Sequence, residues 1–166
     1  MMSLPLPLGD GALRIWRLDR DRHAPNWHTG EGSRIAGGRW NSAGRRAIYA
    51  SLDPSTAILE VAVHKGFRVL DTTAHVLTHA TVLETDGVRV VARDEVPNPD
   101  WLVPGIPSSG QQAFGDALLA DHPIVLVPSV VSRHSWNAIM DPGPGAALLA
   151  DVMQERFALD PRLHAS

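Results

Sequence analysis

GGRWNSAGRRAIYASLDPSTAILEVAVH, residues 37–64, sets a loop, a strand and a helix in succession. Ala47–Ser51 holds Ile48 and Tyr49, residue types that suit a pleated, half-buried strand. Asp53 then offers a side-chain acceptor to the free N–H groups of a helix start, and Pro54 pre-sets the backbone of the first turn. The pattern predicts a helix over Pro54–Lys65, with Gly66 placed for a left-handed C-terminal cap.

Inside that helix Glu60 stands among Ala57, Ile58, Leu59, Val61, Ala62 and Val63. A carboxylate is costly to bury unpaired. Glu60 therefore either shares a narrow wet stripe with Thr56 and His64, one turn away on each side, or faces a cleft as a working group. Helix geometry alone leaves both readings open. Ahead of the strand, Gly37 and Gly38 allow a ligand to approach the backbone closely. Arg34, Arg39, Arg45 and Arg46 form either a solvated loop face or an anion clamp, because a guanidinium bonds phosphate through two N–H groups at once.

Working outward, 166 residues with 44% hydrophobic and 20% charged content suit one globular domain able to bury a core. Residues 1–11, with Pro5, Pro7 and Gly9, read as a loose arm before a single domain over 12–166. A net charge of −3 argues against broad, sequence-independent nucleic-acid binding. The absence of Cys excludes a disulfide framework and a thiolate metal site, and fits a cytoplasmic protein. The first residues lack the basic and apolar regions of a signal peptide, and no apolar run is long enough to span a membrane.

Leu13–Leu18 alternates and reads as the first strand, with Arg17 on the face opposite Trp16. Asp19–Arg34 is polar and reads as a loop with room for a short helical turn. His75–Glu84, Val88–Ala92, Ile124–Val127 and Trp136–Met140 read as strands. Pro97, Pro99, Pro104 and Pro107 hold an extended connection, after which Ser108 or Ser109 caps a helix over Gly110–Asp121 with Phe114, Leu118 and Leu119 inward. Ala146–Glu155 reads as a helix and Phe157–Leu163 as a last edge strand. Short strands joined by loops favour an α+β fold over a doubly wound sheet.

Other chemistries find little support. There is no glycine-rich phosphate loop and no GxSxG. His75 and His79 share a strand face without a third ligand, so no metal site is expected. Asp53 is better explained as a helix cap than as a second carboxylate for Glu60.

GGRWN (37–41), AIYAS with Tyr49, ILEVAVH with Glu60, and VPS with Ser129 and then Asn137 together resemble the RES domain family. That family is named for an Arg, a Glu and a Ser, here matched by Arg39, Glu60 and Ser129. The likeness runs from about Leu13 to Leu163 and includes the strand holding Arg17, EGSR and DPRL; DPGPG at Asp141–Gly145 departs from it and is given no role. The resemblance implies an α+β, ADP-ribosyltransferase-like split β-sandwich core with flanking helices. It implies the toxin of a bacterial type II toxin–antitoxin pair, with NAD as substrate and no metal. The implied partner is an Xre-type helix-turn-helix antitoxin that occludes the active site in a hetero-oligomer. By the same resemblance Glu60, Arg39 and Tyr49 are catalytic, and Arg17, Arg39, Tyr49 and Ser129 bind NAD.

The residue types suit that chemistry. Breaking the nicotinamide–ribose bond expels a neutral leaving group and leaves an oxocarbenium-like sugar, so negative charge near the ribose helps and a general acid is not required. Glu60 would supply that charge. Arg39, with Arg17, would hold the pyrophosphate; Tyr49 would wall off the nicotinamide ring; Ser129 would bond the ribose or the amide. The acceptor stays open between water, phosphate and a host protein side chain. Ile58 occupies the place where transferases that modify Arg often carry a Glu, which disfavours Arg as acceptor. The competing reading is a non-catalytic NAD- or protein-binding module that uses the Arg loop as its interface.

Overall fold

The computed structural model describes residues 13–103 and 107–163; the expected arm over 1–11 and the connection's Pro104 lie outside the described residues. Seven strands form: β1 (Arg14–Arg20), β2 (Ile48–Ser51), β3 (His75–Val82), β4 (Val88–Val90), β5 (Ile124–Pro128), β6 (Trp136–Met140) and β7 (Leu149–Phe157). They lie in the order β4-β5-β6-β2-β1-β3-β7, antiparallel except for β4 against β5.

At the centre of this sheet β1 and β2 share only the pair Trp16↔Ser51, whereas β1 pairs with β3 from Arg14 to Arg20. The sheet is thus split into a β4-β5-β6-β2 half and a β1-β3-β7 half. The main core joins them: Ile48, Ala50, Ile124, Leu126 and Met140 from one half pack with Leu13, Ile15, Ala80 and Val82 from the other. β5 is buried along its whole length, which is why its sequence is an unbroken apolar run rather than an alternation.

Helices cover the outer faces: α1 (Glu31–Ala36), α2 (Pro54–Lys65), α3 (Phe67–Thr72) and α4 (Ser109–Asp121). Ile58, Val61, Ala62, Phe67 and Leu70 of α2 and α3 pack with Leu18 and Leu77. Phe114, Leu118 and Leu119 of α4, with Trp40, pack with Val125, Val127 and Ile139. The start of α2 follows its sequence: the Asp53 carboxylate accepts from Thr56 N at 2.8 Å and from Thr56 Oγ1 at 2.7 Å. Its end differs. Gly66 has φ 84° and ψ 152°, positive but extended, and the chain enters α3 at once instead of making a left-handed cap.

Three expectations are corrected. The segment over Asp19–Arg34 holds the short helical turn it left room for, a 3-10 turn at Asp21–Asn26, but is otherwise more ordered than a loop: β1 runs on to Arg20 and α1 starts at Glu31. The expected helix over Ala146–Glu155 is a 3-10 turn at Ala146–Leu148 followed by β7. Pairing with the β3 backbone outweighs the helix propensity of its Ala, Leu, Met, Gln and Glu residues. Asp151, at φ 52°, sits where the register shifts between His79 and Thr81, a conformation Asp tolerates better than most residues. The expected strand over Phe157–Leu163 ends at its first residue, and Pro161–Leu163 is a 3-10 turn, since Pro161 has no N–H for a ladder. Among the described residues no helix is long and apolar enough to cross a membrane.

Candidate active site

The register pairs Tyr49↔Ile139 and Ser51↔Asn137 put Tyr49, Ser51 and Asn137 on one face of the sheet. That face is flanked by α2 on one side and by α4 with the loop over residues 37–46 on the other. Because α2 starts just after β2 ends, its middle turn reaches the adjoining ends of β5 and β6. There Glu60 Oε1 accepts two hydrogen bonds, from Asn137 Nδ2 at 2.7 Å and from Ser129 Oγ at 3.0 Å. Asn137 Oδ1 accepts in turn from Ser51 Oγ at 2.8 Å, and Ser129 Oγ accepts from Ser132 N at 3.1 Å.

Ser129 is fully buried and Glu60 half-buried. Both donors meet the same carboxylate oxygen, and no hydrogen bond to Oε2 occurs among the described residues. Glu60 is therefore a held carboxylate with one open oxygen, not a member of a wet stripe: Thr56 is buried on its cap and His64 is exposed.

Tyr49 lies about 7 Å along β2 from Ser51, two residues at strand rise. Its hydroxyl donates to Asn41 Oδ1 at 2.6 Å and accepts from Trp40 N at 3.0 Å. Burial pushes this phenol up, so it stays protonated. Asn41, fully buried, donates to Ser33 O and Arg45 O. Gly38 is needed for this packing, since a Cβ there would sit 2.6 Å from Tyr49 Oη. Gly38 thus admits the protein's own tyrosine.

Arg39, half-buried in the same loop, donates from Nη1 to Trp101 O at 2.7 Å and makes no ion pair among the described residues. The other arginines of the cluster are engaged: Arg34 of α1 and Arg46 with Glu31, and Arg45 with Asp141 at 2.9 Å. The Arg34 hydrogen bond holds the Glu31 carboxyl below its usual range. Asp141, from the segment given no role, is therefore the ion partner of Arg45.

Arg17 stands apart. Its Nε bonds Asp19 at 2.9 Å and its Nη1 bonds Tyr49 O at 2.9 Å, bridging the split between β1 and β2. No hydrogen bond joins it to Glu60, Arg39 or Ser129. The fold therefore brings together Glu60 and Ser129, sets Tyr49 beside them, staples the Arg39 loop to Tyr49, and joins Arg17 to the Tyr49 backbone. Asn137 and Ser51 complete the Glu60 network; Asn137 was signalled by the family resemblance and by being a lone Asn in an otherwise apolar strand, while Ser51 carried no signal. His75 donates from Nδ1 to Thr73 O at 2.7 Å and His79 stacks on Trp16 at 4.5 Å; no group of three or more metal-ligating side chains occurs among the described residues.

Comparison with known proteins gives a coherent picture. Residues 14–160 match the RES domain. The chain is 31% identical over 134 residues to "Toxin Res" of Photorhabdus laumondii, covering 77% of this chain and 81% of that protein. It is 30% identical over 139 residues to "Toxin Res" of Pseudomonas putida, covering 81% and 91%. It is 27% identical over 158 residues to "Prs ADP-ribosylating toxin" of Sphingobium sp., covering 90% and 95%. The fold is similar to a chain in the crystal structure of the M. tuberculosis MbcT–MbcA toxin–antitoxin complex, with a TM-score of 0.60 at 19% identity over 89% of this chain and 85% of that one.

Proposed function

The chain belongs to the RES domain family, and from that premise we propose that it is a toxin that cleaves the nicotinamide–ribose bond of NAD and passes ADP-ribose to an acceptor. The observation that carries this reading is the Glu60 carboxylate, held through Oε1 by Asn137 and Ser129 with Oε2 open. As the bond from ribose C1′ to the pyridinium nitrogen breaks, its electron pair leaves with neutral nicotinamide and positive charge grows on the sugar. A fixed carboxylate needs no reorganisation to stabilise that charge. The acceptor's lone pair then forms the new bond to C1′ and its proton is lost to solvent.

The other side chains fit NAD in shape and charge. Arg39 spends one N–H on Trp101 O and keeps the rest for the pyrophosphate. The Tyr49 ring, its hydroxyl already committed to the loop, offers a flat wall for nicotinamide. Ser129 acts from beneath, by aiming Glu60. No metal is required. The name of the Sphingobium relative favours a protein acceptor over water or phosphate. We further propose an Xre-type antitoxin as partner in a cytoplasmic hetero-oligomer, a reading supported by the fold's likeness to a chain from a toxin–antitoxin complex. Incubating the purified protein with NAD and quantifying free nicotinamide tests the reaction. Release of nicotinamide is expected; a folded wild-type protein that leaves NAD intact overturns it.

A further inference from the structure

Helix α4 adds nothing to the Glu60 network, yet three of its residues on one face grip the loop that carries Arg39. Gln112 Nε2 donates to Gly38 O at 2.8 Å. Asp116 accepts from Ser42 N at 3.1 Å and from the Ser42 hydroxyl. Between them Gly115 lies so close to the loop that a Cβ would fall 1.9 Å from Trp40 O, with backbone on both sides and nothing free to move. The contacts land on residues 38, 40 and 42 and bracket Arg39.

The far end of Arg39 is tied to the same helix. Its guanidinium meets Trp101 O at 2.7 Å. The connection bearing Trp101 is held by Asn98, whose Nδ2 donates to Oε1 of the fully buried Gln111 at 3.1 Å and whose carbonyl accepts from Trp101 N at 3.1 Å. Backbone and side chain of Arg39 are thus both referred to α4.

We propose that α4 positions Arg39 for the anionic part of NAD, with Gln112 and Asp116 as positioning residues; this rests on the NAD reading above. A Gly-Gly loop is soft by itself, and two-point recognition of phosphate fails when the guanidinium strays by a fraction of an ångström. Glu60 takes its partners from Ser129, just after β5, and Asn137, in β6, so the two halves of the site are separable: α4 governs how NAD is held, Glu60 how fast it is cleaved.

The test compares Gln112→Ala/Asp116→Ala and Asp116→Ala with Asp116→Asn, which keeps an acceptor for Ser42 N. Each is assayed for KM and kcat with NAD, and for ADP-ribose binding by calorimetry. The double variant is expected to raise KM and weaken ADP-ribose binding about tenfold, the equivalent of about 1.4 kcal/mol, with kcat within about twofold of wild type. Asp116→Asn is expected to restore most of the loss. An unchanged KM, a fall in kcat that matches the rise in KM, or no difference between Asp116→Asn and Asp116→Ala overturns the proposal. If the double variant unfolds, Gln112→Ala alone reads the same split, as it removes one bond and leaves the Ser42 anchor. If wild type releases no nicotinamide the reaction is wrong by itself, and the clamp is then judged by ADP-ribose: weaker binding by the variants supports it, equal binding or none by wild type overturns it.

Discussion

Glu60 is a half-buried charge that α2 presents to two donors at one of its oxygens. Glu60→Gln keeps an oxygen for Asn137 and Ser129, so the fold should hold while the negative charge is lost. NAD cleavage is expected to fall by a factor of about 10² or more, about 3 kcal/mol of transition-state stabilisation. A folded Glu60→Gln protein with near-normal nicotinamide release would take the residue out of the mechanism. Asn137→Ala strips one donor from Glu60 and leaves the buried Ser51 hydroxyl without its acceptor. Stability should drop by about 1–3 kcal/mol, read from the urea midpoint, together with a fall in kcat larger than any change in KM. At this scale the sequence announced the charge but not its setting. Asn137 and Ser129 stand 77 and 69 residues away, and only the register of β2, β5 and β6 brings them in. The arginine cluster misled for the same reason, since Glu31 and Asp141 neutralise three of its members.

Among the elements, α2 was legible because every signal along it agrees: cap, Pro, apolar run and terminating Gly. Asp53→Ala removes two bonds to Thr56 and should cost about 1 kcal/mol, up to about 2, seen as a fall of roughly 2–4 °C per kcal/mol in melting temperature for a domain of this size. An unchanged melting temperature would mean that packing alone holds the helix start. β7 was illegible because an edge strand exposed on both faces has no reason to alternate. Its residues through 151–156 are exposed, and what fixes it is the backbone ladder to β3. The contrast with β5, buried at every position, makes a prediction about local stability. Amides of Ile124–Val127 should exchange with solvent last and those of the Asp151 bulge first. Slow exchange at Asp151 would indicate that the edge is covered in solution.

At the scale of the whole molecule, the split between β1 and β2 sets the plan, and periodicity does not reveal it. Only the single pair that β1 and β2 share, Trp16↔Ser51, shows that the halves part company there. Glu60 on α2 and the Arg39 loop gripped by α4 flank the Tyr49–Ser51 face beside this seam, and a partner that silences the protein by occlusion must cover them. Charge narrows where it would grip. Arg34, Arg45 and Arg46 already have carboxylate partners, while Arg39 has a backbone carbonyl and no ion pair among the described residues. An acidic side chain or terminal carboxylate of the antitoxin would mimic the pyrophosphate at Arg39, a charge-assisted contact in a partly buried setting. Arg39→Ala should therefore weaken both NAD and antitoxin binding clearly, Arg39→Lys should do so in part by losing the two-point fork, and Arg45→Ala and Arg46→Ala should leave antitoxin affinity within a few-fold of wild type. Hydrogen exchange of the complex should show protection over residues 37–42 and 49–60. Should protection fall on β7 or another remote face while ADP-ribose still binds the complex, occlusion is wrong, and the antitoxin would have to act by shifting the Arg39 loop or α2 instead.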